Sequence, residues 1–152
     1  MQTVPSANSP HRRTGDCLAD RFTIVDVAGR GGMGTVYRAT DSLTGAPVAL
    51  KVLTSHTREA AERFLREARV LSELAHPAVV RYLAHGITAE GEAYLAMEWL
   101  DGEDLASRVA RGALSLDDTL VLVRRAAEAL APAHARGIVH RDVKPSNLVL
   151  VG

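Results

Sequence analysis

Residues 22–28 read FTIVDVA, residues 29–34 read GRGGMG, and residues 35–40 read TVYRAT. The two outer segments are rich in β-branched and aromatic residues, which favours β-strands. The inner segment is rich in glycine, which lets backbone N–H groups approach a phosphate closely. The pattern predicts two antiparallel strands joined by a glycine hairpin, and this hairpin is either a plain turn or a flap over a ligand.

The glycines Gly29, Gly31 and Gly34 fit the spacing G-x-G-x-x-G, but two common nucleotide sites are excluded. A dinucleotide-binding fold needs these glycines to open a helix, whereas here a strand follows them. A phosphate loop of the Walker type needs lysine at the position that Thr35 occupies. The glycine motif is therefore a weak signal by itself, and its meaning depends on the surrounding sequence.

The flanking sequence continues as short strands and two long helices. Residues 47–53, 78–88 and 92–100 are predicted as further strands because they are short, apolar and bounded by turn residues. Apolar residues at three- and four-residue spacing predict one helix over 58–75 and another over 116–136. The second helix is expected to begin after Ser115, which would cap its N-terminus, and to end at Gly137.

Only two of the 18 basic residues are lysines, and the first of them lies on a predicted strand. Side chains alternate along a strand, so Lys51 shares a face with Ala49. Glu67 lies at the edge of the apolar stripe of the first long helix, where a carboxylate is costly unless it is paired. It is therefore a candidate partner for Lys51, although it is alternatively one of several solvated helix acids.

The second lysine, Lys144, belongs to residues 140–147, which read HRDVKPSN. Asp142 could accept a proton from a hydroxyl group, and Lys144 could neutralise a phosphoryl group. Asn147 could offer an oxygen ligand to Mg²⁺. The alternative interpretation is an ordinary charged surface loop.

In chain order, the sequence contains GRGGMGTV, VALK, the helix acid Glu67, His-Pro at 76–77 and HRDVKPSN. This ordered set resembles the signature of protein kinases. The wording of GGMGTVYRA and HRDVKPSN is most similar to the bacterial, eukaryotic-type (Hanks-type) serine/threonine kinases. The resemblance covers about residues 22–152 and identifies them as the N-terminal portion of the catalytic domain.

The resemblance implies an α+β fold. Its kinase-like N-lobe is a five-stranded antiparallel sheet plus one helix, followed by an incomplete helical C-lobe, and in the family ATP lies between the lobes. We expect a flexible leader at residues 1–20 and the N-lobe at 21–100. Residues 101–152 are then the hinge and the start of the C-lobe.

The resemblance also implies which residues contact ATP. The glycine hairpin would cover the phosphates, and Lys51, held by Glu67, would contact the α- and β-phosphates. Apolar side chains would surround adenine, and the Glu98 carbonyl and Leu100 amide would meet its edge. Asp104 would touch the ribose. The nucleotide-binding residues expected in this way are Ala28, Gly29, Gly31, Gly34, Val36, Ala49, Lys51, Glu67, Met97, Glu98, Leu100, Asp104 and Val149.

The implied function is ATP-dependent transfer of a phosphoryl group to the Ser or Thr hydroxyl of a protein substrate, with Mg²⁺. Asp142 would orient the substrate hydroxyl, Lys144 is typical of serine/threonine kinases, and Asn147 would bind the second metal ion. The family's D-F-G triplet, whose Asp holds the main Mg²⁺, is absent from this sequence.

Because of that absence, three interpretations stay open. The chain is a piece of a true kinase, an ATP-binding pseudokinase or regulatory module without phosphotransfer, or a non-functional remnant. In each case, this chain alone is expected to show negligible phosphotransfer.

Composition narrows the class of protein further. The chain has 152 residues, 47% of them hydrophobic, and a formal net charge of zero at pH 7. Balanced charge argues against nucleic acid or an anionic membrane as the main partner. The sequence has no apolar run long enough to span a bilayer and no apolar core of a secretory signal at its start. We therefore expect a cytoplasmic location, although a full-length form could be membrane-anchored.

Overall fold

A computed structural model describes residues 12–139 and 143–152. Six of its strands form one sheet, and they are β1 (Cys17–Leu18), β2 (Phe22–Gly31), β3 (Gly34–Asp41), β4 (Pro47–Leu53), β5 (Tyr82–Ile87) and β6 (Ala93–Glu98). The order in the sheet is β1-β2-β3-β4-β6-β5. The pairs β1–β2, β2–β3 and β3–β4 are antiparallel. The five strands predicted from the sequence are therefore present.

The remaining elements are helices and a small second sheet. The helices are α1 (Arg58–Ser72), α2 (Leu105–Ala110) and α3 (Leu116–His134), and a 3₁₀ turn covers Pro145–Asn147. The second sheet pairs β7 (Gly102–Asp104) with β8 (Val149–Val151) in antiparallel fashion. The expected α+β fold is confirmed.

Strand alternation decides which face of the large sheet forms the core. Tyr37 and Ala39 on β3 and Val48 and Leu50 on β4 are all less than 5% exposed. The residues between them on these strands are only half-buried. Because neighbouring side chains point to opposite faces, the sheet has one closed face and one partly open face.

The predicted leader over residues 1–20 is wrong in its last part, and the sheet gains a sixth strand there. Cys17 pairs with Thr23 and Leu18 with Phe22. Leu18 is only 1% exposed, and burying a leucine side chain stabilises a fold by about 2 kcal/mol. That burial, together with the strand pairing, orders a segment without helical or strand periodicity. Residues 1–11 of the predicted leader lie outside the described residues.

Both long helices end slightly earlier than predicted. Just after α1 ends at Ser72, the amides of Glu73 and Leu74 donate to the carbonyls of Val70 and Leu71, three residues earlier. These bonds tighten the chain into a turn. After α3, Gly137 has a positive φ of 72° and its amide bonds to the carbonyl of His134. Glycine adopts this conformation without strain, so the predicted stop signal is confirmed.

The chain divides into two compact units. One contains the residues up to Leu65 together with Ala84–Ala96, and the other contains Arg66–Leu83 and Met97–Gly152. The predicted boundary at residues 100–101 remains a prediction.

Candidate functional site

The open face of the first unit's sheet carries three of the predicted site residues. Val36 on β3 is paired directly with Lys51 on β4, and Ala49 lies two residues before Lys51 on the same face. All three side chains are half-buried, whereas Leu50, between Ala49 and Lys51, is fully buried. The prediction that Lys51 shares a face with Ala49 is confirmed, since the strand period of two dictates it.

The ammonium group of Lys51 lies near an aromatic ring. Its Nζ is 5.8 Å from the ring centroid of Phe64 on α1, and Phe64 is 3% exposed. A cation within about 6 Å of an aromatic face is attracted to it. The arrangement places the ammonium group of Lys51 beside the apolar Val36 and Ala49, on a face that also carries Arg38, the direct partner of Ala49.

The glycine hairpin connects β2 to β3, as predicted. Gly31 pairs with Gly34, so Gly32 and Met33 form the turn. A Cβ at Gly34 would lie 2.2 Å from the backbone oxygen of Val52. No larger residue fits there, so close approach of the neighbouring strand explains this glycine.

Gly29 and Gly31 have no such explanation. In the part of the chain that the structure describes, a Cβ at either position would meet no atom within 4 Å beyond the adjacent residues. Neither residue adopts a positive φ. The exposed Ala28 lies beside Gly29 at an irregularity in the pairing of β2 with β3. The backbone on this side of the hairpin is therefore open to a ligand.

In the second unit, the structure brings two predicted site residues together. Asp104 on β7 is paired directly with Val149 on β8. A Cβ at Gly102 would lie 2.2 Å from the backbone oxygen of Leu150, so glycine is needed for this pairing. Gly102 was not among the predicted site residues, and the only sign of it in the sequence is the turn dipeptide Asp-Gly at 101–102.

Asp104 has a structural role in addition to the predicted ribose contact. Its carboxylate accepts hydrogen bonds from the amide and the hydroxyl of Ser107, at 2.9 and 2.8 Å, and so caps the N-terminus of α2. These bonds lower the pKa of Asp104 below its ordinary value. The ribose contact remains a prediction.

The predicted hinge residues Met97, Glu98 and Leu100 are all half-buried. The amide of Glu98 donates to the carbonyl of Arg81 at 3.0 Å, and its carboxylate accepts from the amide of Arg81 at 2.7 Å. The indole of Trp99 donates to Asp101 at 3.0 Å. These bonds hold the segment through atoms other than the Glu98 carbonyl and Leu100 amide, which were predicted to meet adenine.

Glu67 differs from its prediction in one respect. Its side chain is exposed on α1, while Phe64 and Ala68 are buried. The prediction that burial makes an ionic partner for Glu67 necessary is therefore wrong, because its carboxylate lies one position beyond the buried stripe of α1. The pairing with Lys51 stays a prediction.

The loop predicted to carry the chemistry is described only in part. Lys144 and Asn147 are exposed at the two ends of the 3₁₀ turn, where the amide of Asn147 donates to the carbonyl of Lys144 at 2.9 Å. The next residue, Leu148, is held in place because its carbonyl accepts a hydrogen bond from the amide of Leu105 at 2.8 Å. Asp142 lies outside the described residues, and so do His140 and Arg141.

The charged pair Arg21–Asp41 was not anticipated from the sequence. Arg21 donates two hydrogen bonds to Asp41, both of 2.8 Å, and Asp41 is 1% exposed. These bonds from Arg21 lower the pKa of Asp41 to about 2. The only signal was the position of Asp41 at the start of a turn, which does not reveal a partner 20 residues away.

The described residues fit the proposed ligands to different extents. The open glycine backbone and Lys51 suit a phosphate, because both offer N–H donors. Asn147 offers one amide oxygen to Mg²⁺, which usually takes its other ligands from water and substrate phosphates. Within residues 12–139 and 143–152, no three His, Cys, Asp or Glu side chains gather to bind a metal. In the same residues, no helix has the length and apolar character needed to cross a membrane.

Comparison with known proteins agrees with this arrangement. Residues 22–152 match the protein kinase domain. The chain is similar to serine/threonine-protein kinase pkn2 of Myxococcus xanthus, at 42% identity over an alignment of 137 residues; the alignment covers 88% of this chain and 16% of that protein. It is also similar to serine/threonine-protein kinase PknA of Mycobacterium tuberculosis, at 41% identity over an alignment of 146 residues; the alignment covers 91% of this chain and 34% of that protein.

Solved structures show the same likeness. The kinase domain of PknI from Mycobacterium tuberculosis superposes with a TM-score of 0.83 and 33% identity, covering 93% of this chain and 58% of that one. The chain thus spans about a third or less of the two curated relatives and a little over half of the solved domain. With the family match over residues 22–152, these findings show that the chain belongs to the protein kinase family, as part of a kinase domain of the serine/threonine type.

Proposed function

We propose that this chain binds ATP with Mg²⁺, and that its kinase domain transfers the γ-phosphoryl group to a Ser or Thr hydroxyl of a protein substrate. The observation that carries the proposal is the open face of β3 and β4. Val36, Ala49 and Lys51 lie there together, on a face that the rest of the first unit's sheet leaves partly uncovered. The apolar side chains of Val36 and Ala49 beside the ammonium group of Lys51 suit a flat base attached to a phosphate chain.

The glycine hairpin supports the same ligand. Gly34 is needed for strand packing, but Gly29 and Gly31 are needed neither for packing nor for a positive φ. Closely approaching phosphates would explain both, because a backbone without Cβ atoms can donate N–H groups at short range. Phosphoryl transfer needs mainly such positioning and charge neutralisation.

The loop residues complete the proposal in the second unit. Asp142 would accept the proton of the substrate hydroxyl, and Lys144 would neutralise charge on the transferred group. Asn147 would be one ligand of Mg²⁺, which when bound neutralises phosphate charge. Asp104 would reach the ribose while it continues to cap α2.

Thermal unfolding with and without Mg-ATP tests the binding part of the proposal. A ligand at 100 times its dissociation constant stabilises the folded state by about 2.7 kcal/mol, so the wild-type chain should unfold at a clearly higher temperature. Lys51→Ala should lose most of this shift. Arg58→Ala is a matched control, because it also removes one cation and its side chain is 91% exposed. An equal shift in Lys51→Ala and wild type, or no shift in wild type, would contradict the proposal.

A further inference from the structure

The residues just before the family match are part of the sheet. The match begins at residue 22, yet the amide of Gly15 bonds to the carbonyl of Ile24, and the amide of Ile24 bonds back to the carbonyl of Asp16, both at 2.8 Å. We name residues 12–18 the N-terminal strap. The strap is held to β2 by these backbone bonds and by the hydroxyl of Thr14, which donates to the carbonyl of Val25 at 2.8 Å.

A side chain of the strap reaches a distant part of the first unit. Arg12 forms an ion pair with Glu92, 80 residues further along, and the two side chains are only 14% and 8% exposed. A second carboxylate, that of Glu90, lies 3.5 Å from Arg12 but is 65% exposed. Removing one partner of a buried ion pair is costly because the other charge is left buried. We name the Arg12–Glu92 pair the latch.

The turn before β6 presents Glu92 in a defined position. The amide of Thr88 donates to the carbonyl of Glu92 at 2.9 Å, and the Thr88 hydroxyl accepts from the amide of Glu92 at 3.2 Å. Gly91 has a φ of 85°, which a side chain would strain. The acidic end of the latch is therefore held by its own turn.

The latch joins two strands that are not neighbours. The strap is bonded to β2, and Glu92 directly precedes β6, while β3 and β4 lie between these strands in the sheet. Close by, the rings of Phe22 on β2 and Tyr94 on β6 meet edge to face, with centroids 6.0 Å apart. Phe22 is completely buried. The aromatic contact and the latch thus fasten β2 to β6 at the same end of β2.

The latch is held by a single nitrogen of the guanidinium group. Arg12 donates to Glu92 through Nη2, and its buried Nε has no hydrogen-bond partner among the described residues. Arg21, by contrast, binds Asp41 through two nitrogens. The latch therefore makes fewer hydrogen bonds than the Arg21–Asp41 pair.

We propose that Arg12 is a positioning residue for nucleotide binding. It acts through β2, which begins at the latched end and finishes in the glycine hairpin at Gly31. While the latch is closed, β2 is held in one position. When the latch is open, β2 and the hairpin gain conformational freedom, which a bound nucleotide must remove. The affinity for the nucleotide therefore falls. This inference rests on the proposed binding of ATP, but the latch itself is testable without nucleotide.

The test measures two quantities on the same set of full-chain variants, at a temperature well below unfolding. Hydrogen exchange of the amides of Gly15 and Ile24 reports on the strap, and titration with Mg-ATP followed by the fluorescence of Trp99 gives the dissociation constant. The variants are Arg12→Ala, its neighbour control Arg13→Ala, and the charge swap Arg12→Glu with Glu92→Arg.

Arg12→Ala should exchange faster at both amides and bind Mg-ATP about fivefold more weakly, within the usual range of coupling between sites. Arg13→Ala should match wild type, and the charge swap should recover both quantities. Unchanged exchange in Arg12→Ala would overturn the latch, and faster exchange with unchanged affinity would overturn the positioning role. Wild-type protein that binds no Mg-ATP would refute the proposed function, and exchange would still decide the latch.

Discussion

Gly31 and Gly34 are paired across the glycine hairpin, yet the two positions differ in the space that a side chain would have. At Gly34 a Cβ would overlap the carbonyl of Val52, whereas at Gly31 nothing in the described chain fills the same space. We therefore expect Gly34→Ala to destabilise the fold by about 2 kcal/mol or more, as overpacking does.

Gly31→Ala should leave the free energy of unfolding within about 1 kcal/mol of wild type, because the position is open, but should weaken Mg-ATP binding. Urea unfolding and nucleotide titration of both variants check this pair of outcomes. Equal loss of stability in the two variants would show that packing alone accounts for both glycines.

Also at the residue scale, Asp41 makes stability depend on pH. Arg21 lowers the pKa of Asp41 from 3.8 to about 2, so the ionised carboxylate favours the folded state. This contribution, about 2 kcal/mol, is complete above pH 4 and is lost as the pH falls towards 2. Urea unfolding between pH 5 and 2 should therefore show a steeper decline in wild type than in Asp41→Asn. Parallel declines would contradict the assigned role.

At the scale of elements, α3 depends on a cap that was predicted from the sequence. The hydroxyl of Ser115 accepts from the amide of Asp118 at 3.1 Å, and it donates to the carboxylate of Asp118 at 2.7 Å. Replacing a capping serine by alanine costs about 1 kcal/mol. Ser115→Ala should lower the free energy of urea unfolding by this amount, while Ser115→Asn, which keeps a capping oxygen, should not. Identical stability in all three proteins would rule out the cap.

Also at the scale of elements, the repeat of a strand or helix predicts which side chains share a face. The period of two placed Lys51 and Ala49 on one face of β4 and assigned Leu50 to the other, as the structure confirms. Local patterns of this kind are set by backbone geometry, which neighbouring elements do not alter. On α1, Phe64 and Ala68 are among the apolar residues at helical spacing and are buried, but Glu67, at the edge of that stripe, is exposed.

At the scale of the whole molecule, the contacts that the sequence did not predict are those between distant segments. Arg12 and Glu92 are 80 residues apart, and the burial of Leu18 depends on a strand pairing that no periodicity announces. Such contacts arise from the path of the chain, so residue spacing carries no information about them. The candidate site could be assigned from the sequence only through the resemblance to protein kinases, because its residues come from segments far apart in the chain.

A structure of the chain with Mg²⁺ and a non-hydrolysable ATP analogue would show whether Lys51 and the glycine hairpin bind the phosphates of ATP, as we propose. We expect Nζ of Lys51 within hydrogen-bonding distance, about 3 Å, of an α- or β-phosphate oxygen. The backbone of residues 29–34 should lie over the phosphates. An analogue bound elsewhere, with Lys51 still against Phe64, would contradict the claim.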